Sequence, residues 1–227
     1  GILYFYTVDL KYYFLIFWTV LLLILLASMG AAFLLSNVDG GKFAFGFPFG
    51  TYVSVGIIGF LMARDYIPYN LKLGAIRKNI FIANGLLFFG YCLLFAVISS
   101  TLQSLASLFI KAVDLHTMLL LHPAMLLEDT WFNRAVIDTA VMFTIFALLF
   151  LIGLLFYRGG LFAGASVIGL LLIFILFGFA QGFLTEYFTN LYQNINLLYF
   201  LKLFAVGLLL YVLSYILVRR ITTAKAR

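Results

Sequence analysis

Charge is what this chain has least of. Only 10% of its 227 residues are Asp, Glu, Lys or Arg, against about 25% in an ordinary soluble domain. No single core of this size hides a composition that is 66% hydrophobic, so a water-soluble fold is excluded and an integral membrane protein is expected. Cysteine is reduced to Cys92, inside an apolar run, which excludes a disulfide framework or a thiolate metal site within one chain. No Gly-x-x-x-x-Gly-Lys-[Ser/Thr] sequence occurs, so the chain does not cradle ATP phosphates by itself. The apolar runs also lack a series of carboxylates for proton relay, so active transport would need energy from another subunit. Gly164-Ala165-Ser166-Val167-Ile168-Gly169 does not fit the Gly-x-Ser-x-Gly elbow, and no histidine lies nearby in sequence to act as its base.

What is present is apolar sequence in long stretches, with a mean hydropathy of +1.18. A span needs roughly 20 apolar residues, and six are placed at about 13–36, 46–63, 80–102, 135–156, 161–182 and 197–218. The expected fold is an all-α polytopic membrane protein, a single transmembrane domain over 1–227. The second span holds Gly46, Gly50, Gly56 and Gly59, with Pro48 near its start. It is expected to pack closely on a neighbour or to break there. Segment 103–134 has its own apolar stretch around 118–127, read as one or two short helices at the outer membrane surface. The chain opens at Gly1 rather than Met, so a few native residues are expected ahead of it. The opening stretch lacks the basic region and cleavage site of a signal peptide.

Orientation follows from Lys and Arg, which favour cytoplasmic loops. With the N-terminus inside, Lys11, Arg64, Lys72, Arg77, Lys78, Arg158, Arg219, Arg220, Lys225 and Arg227 are cytoplasmic. Lys42, Lys111, Arg134 and Lys202 are outside. The acids run the other way, with Asp39, Asp114, Glu128, Asp129, Asp138 and Glu186 outside against Asp9 and Asp65 inside. Both ends are therefore expected in the cytoplasm. The net charge of +6 lies in short loops and the tail, a footprint of membrane topology and not of nucleic-acid binding.

Polar groups at depth are few: Asn84, Gln181, some Ser and Thr, and Asp138. Asp138 follows Arg134 by four residues, so the two share a helix face and are expected side by side at the outer interface. His116, His122, Glu128 and Asp129 share the outer segment and are metal-competent or acid–base side chains. The His-x5-His spacing sets the imidazoles poorly on one helix face, so a solvated rim is the plainer expectation. Gly160 and Gly164 form a small-xxx-small spacing for close helix packing.

The most informative stretch is 62–80, which breaks the apolar sequence with Arg64, Lys72, Arg77 and Lys78 against one acid, Asp65. Pro68 favours a first helical turn and Gly74 a stop, so a short cytoplasmic helix lies between them, with Leu71 or Leu73 free to fill a pocket. A helix that short needs the membrane or a partner to hold it.

The run Tyr69-Asn70-Leu71-Lys72-Leu73-Gly74-Ala75-Ile76-Arg77-Lys78-Asn79-Ile80-Phe81 resembles the small bacterial permeases of the ABC-2 type. Their pattern here is a hydrophobic stretch, Gly-x-[Ser/Thr]-Arg-Lys, then a helix. Six spans with both ends inside, the tight Tyr157-Arg158-Gly159-Gly160 turn and the Arg219-Arg220 tail agree with it. Ile76 stands where the family often has a hydroxyl residue. The resemblance implies the transmembrane subunit of an ATP-driven exporter, paired with a second permease subunit in an expected homodimer. Two ATP-binding cassette subunits would dock below and carry ATP and Mg, so this chain itself is not expected to be an enzyme or to bind a cofactor. Tyr69, Asn70, Leu71, Lys72 and Leu73 would be the coupling helix, Gly74 its stop, and Arg77 and Lys78 its anchors at the lipid boundary. The implied place is the bacterial plasma membrane, and the implied cargo an amphipathic or hydrophobic molecule: an antimicrobial or cytolytic peptide, a drug or a lipid. The alternatives are a polytopic membrane enzyme using the His116, His122, Glu128 and Asp129 group, or a non-catalytic subunit of a membrane complex.

Overall fold

A computed structural model describes residues 2–36 and 41–221. Asp39, Lys225 and Arg227, which entered the charge bias, lie outside the described residues. The chain forms α1 (Ile2–Leu35), β1 (Phe43–Phe45), α2 (Phe47–Leu61), α3 (Ile67–Lys72), α4 (Arg77–Ala112), β2 (Met118–Leu120), α5 (Trp131–Ala180), α6 (Phe183–Asn194) and α7 (Leu197–Val218). A π-turn, Met62–Tyr66, joins α2 to α3, and a short 3-10 turn, Pro123–Leu126, follows β2. The architecture is helical, and among the described residues five helical stretches are long and apolar enough to cross a membrane.

One of the five, Trp131–Ala180, has 50 residues. Straight, it would measure about 75 Å, more than twice the roughly 30 Å of a hydrocarbon core. It is not one straight rod, because Gly160 inside it takes φ 70° and ψ −168°. A side chain pays heavily for that left-handed φ, and glycine does not. Gly160 thus divides α5 into helices 131–159 and 161–180, at the place where the sequence suggests a tight turn.

The N-terminal half of α5 is the hub, packed against α2, α4 and α7. Its contact with α2 is backbone on backbone. A Cβ on Gly59 would lie 2.8 Å from the Phe146 carbonyl oxygen, and one on Gly153 would lie 2.7 Å from that of Phe60. Glycine at both positions lets two helices approach as closely as helices in lipid can. The glycine-rich second span therefore packs tightly through its middle, and it is not broken there. Around this contact, Phe88 meets Phe150 and Tyr211 with ring centroids 5.2 and 5.6 Å apart.

The outer segment departs from the helical expectation. The stretch Met118–Leu120 is a strand, paired parallel to Phe43–Phe45, and within 118–127 only the Pro123–Leu126 turn is helical. Alternation explains it: Met118 and Leu120 are buried while Leu119 faces outward, a period of two that suits a strand. Thr117 Oγ1 donates to the Ala32 carbonyl at 2.7 Å, tying this segment to the end of α1.

Candidate functional site

Two polar constructions stand out, at opposite ends of α2. The first is the segment expected on the inner side. Here α2, the π-turn and α3 form one continuous helical stretch, Phe47–Lys72, so the expected short helix is the end of a membrane helix and not a separate piece. Gly74 ends it with φ +81°. The Ala75 amide donates to the Asn70 carbonyl at 3.0 Å and the Gly74 amide to that of Leu71 at 3.1 Å, the paired bonds of a Schellman stop. Ile76 is then extended, and α4 begins at Arg77.

This end of the helix is moored on two sides. Asn70 is buried; its Nδ2 donates to the Tyr6 hydroxyl at 3.0 Å and to the Tyr66 carbonyl at 2.7 Å. The Tyr66 hydroxyl donates to Asp9 Oδ2, so α1 is held twice. On the other side, Arg77 Nε and Nη2 donate to the Ile221 carbonyl at 3.2 and 2.9 Å, just past the end of α7. What remains free is a tip. Leu73 is 66% and Ile76 65% exposed, and Lys72 and Lys78 are exposed beside them. Leu71 packs against the core, so of the two leucines only Leu73 is available to a partner. Tyr69 is about half exposed. A cavity of about 540 Å³ lies alongside, lined by Arg64 and Asp65 of the π-turn and by Tyr157 and Gly160.

The second construction is at the opposite end of α2, expected on the outer side. Tyr52 of α2 donates its hydroxyl to Asp138 Oδ1 of α5 at 2.6 Å. His122 Nε2 lies 3.2 Å from the same oxygen, with both side chains fully buried. That approach is close but not aligned as a hydrogen bond, and Asp138 Oδ2 has no partner. His122 Nδ1 accepts the Ala124 amide at 2.9 Å and caps the 3-10 turn. With the Nδ1 lone pair so used, the neutral imidazole carries its proton on Nε2.

The expected pairing of Asp138 with Arg134 is therefore not made. Arg134 gives Nε and Nη2 to the two carboxylate oxygens of Asp129, at 2.5 and 2.6 Å, and Nη1 to Ser104 Oγ of α4 at 3.2 Å. That fork on a planar carboxylate is the geometry guanidinium favours, and it holds the Asp129 carboxyl below the usual carboxylate range. Asp138, instead of lying at a wet interface, is entirely buried.

The alternative site residues are not brought together. His116 pairs with Asp114 at 2.8 Å in the open, Glu128 is exposed, Asp129 faces Arg134, and His122 turns inward to Asp138. Among the described residues no group of three or more His, Cys, Asp or Glu is placed to hold a metal. His122 offers no free lone pair for one in this arrangement, since Nδ1 accepts an amide and Nε2 bears the proton. Gly160 has nothing near its missing Cβ, while the space at Gly164 is filled by the Phe156 ring. Tyr52 escapes any sequence reading: nothing marks it among 14 tyrosines, and its partner lies 86 positions away. Asn84 is likewise buried, with neither side-chain atom hydrogen-bonded.

Comparison with protein-family models, curated proteins and solved structures gave no match.

Proposed function

We propose that this chain is the transmembrane permease subunit of an ATP-driven exporter of the ABC-2 type, with its inner tip the docking point of a separate ATPase. The reading is carried by the shape of that tip. Leu73 and Ile76 project from the end of a membrane helix with basic residues beside them, and the Asn70 and Arg77 bonds tie the base of the tip to α1 and to the end of α7. A push on such a tip is passed to three elements at once, which is what a coupling segment requires. The absence of a phosphate-binding loop fits an arrangement in which two cassette subunits bind ATP and Mg. Both chain ends lie in the cytoplasm in this reading, α5 crosses twice by turning at Gly160, and the membrane is the bacterial plasma membrane. A second copy of the chain completes the pathway. Its cargo is amphipathic or hydrophobic, a peptide, drug or lipid, because few charges are buried within the spans.

Copurification tests it. The chain is expressed with its genomic neighbours, and an ATPase should copurify and be stimulated by it. Leu73→Asp should release that ATPase while the chain keeps its thermal transition, whereas the packed Leu71 is unsuitable because its substitution disturbs the fold. Undiminished binding and turnover in Leu73→Asp would falsify the docking assignment.

A further inference from the structure

We propose that His122 is the proton-binding centre of an acid-operated latch that fastens the outer segment to α2 and α5. The latch does not depend on the exporter reading. Its parts come from three elements: Tyr52 from α2, Asp138 from α5, and His122 from the stretch after β2. All three side chains are buried.

Chemistry at His122 makes the latch two-state. The neutral ring is locked in one tautomer, because Nδ1 accepts the Ala124 amide. A second proton has only Nδ1 to occupy. There it meets the Ala124 N–H donor to donor, and the cap of the 3-10 turn must break. On its other side the ring faces Asp138, whose Oδ1 lies 3.2 Å from Nε2. The site therefore accepts a proton at the expense of the turn.

Other charged groups leave this exchange to the cluster. From α2 the titratable group facing His122 through Asp138 is Tyr52. From α5 there are Asp138 and Arg134, and Arg134 is committed to Asp129 and Ser104. From the segment itself there is Asp129, close enough for His122 to act on its carboxyl. Of these, Asp138 is the group placed against the ring, 3.2 Å from Nε2.

What the turn holds gives the latch its consequence. Ala124, whose amide is the captured donor, is fully buried against Ile137 and Ala140 of α5 and Phe200 of α7. Opening the turn withdraws that plug from between the outer ends of α5 and α7.

The test is amide exchange of a peptide spanning residues 122–127 in the full chain in nanodiscs, over the acid-to-neutral range and corrected for intrinsic exchange. The Ala124 amide should be protected at neutral pH and exchange about tenfold faster once His122 is protonated, the equivalent of losing roughly one hydrogen bond. His122→Asn keeps a carbonyl to cap the turn but has nothing to protonate, so its protection should not vary with pH. Asp138→Asn replaces the carboxyl beside Nε2, so the pH at which protection is lost should move. The proposal is overturned by protection in the wild type that is flat across pH, by the same pH dependence in His122→Asn, or by an unmoved midpoint in Asp138→Asn. Should His122→Asn not fold, the comparison of wild type with Asp138→Asn still decides.

Discussion

Asp129 and Asp138 stand near the same end of α5 and are held in different ways. Asp129 is partly in water and gripped by a guanidinium. Asp138 is fully buried, with a hydroxyl and an imidazole on one oxygen and nothing on the other. The sequence shows both carboxylates and the Arg134 between them. It does not show which one the arginine takes, because helical spacing favours Asp138 while the loop before α5 swings Asp129 back onto the side chain. The Asp129 pair has a pH signature. A carboxyl held below its unfolded value stabilises the fold above the unfolded range and stops doing so as pH falls through the folded one. Asp129→Asn should therefore lower the thermal midpoint of the purified chain at neutral pH, and the gap to wild type should close in acid. A gap that stays constant with pH would show that the pair contributes through packing alone.

Helices are the scale at which the sequence was most readable. Apolar runs of spanning length mark α1, α2, α4 and α7, and the sixth expected stretch coincides with Leu197–Val218. Length alone locates them because lipid forces backbone groups to be satisfied within a segment. Contacts between helices are another matter. The glycines of the second span announced a close approach, but Gly153, the other half of the contact, lies in a run with no glycine pattern of its own. The paired strands were also missed, since three residues of alternation are too few to distinguish from a helix. Gly153→Ala places a methyl 2.7 Å from the Phe60 oxygen and 2.8 Å from Ala63 Cβ, and neither backbone can give. It should cost about 1–3 kcal/mol in thermal or denaturant unfolding. Gly169→Ala, with nothing within 4 Å, should be close to neutral. Equal effects of the two would mean that α2 and α5 do not touch there.

At the scale of the whole molecule, the proposed topology, with α5 turning at Gly160, predicts which side each loop faces. Single cysteines at Lys72, Arg158 and Arg219 should resist a membrane-impermeant thiol reagent in intact cells, and cysteines at Lys111 and Asn190 should react. Native Cys92 is buried and adds little background. Labelling of the Arg158 position from outside would put the Gly160 turn on the wrong face. The moorings of the inner segment carry a further consequence, in time. Tyr6, which receives Asn70, has been synthesised before the segment appears. The Ile221 carbonyl that receives Arg77 comes 144 residues later, about seven to thirty seconds of synthesis at ordinary translation rates. The segment is thus fastened on its α1 side early and on its α7 side only after residue 221 has been made, so a product truncated before it leaves Arg77 without that acceptor.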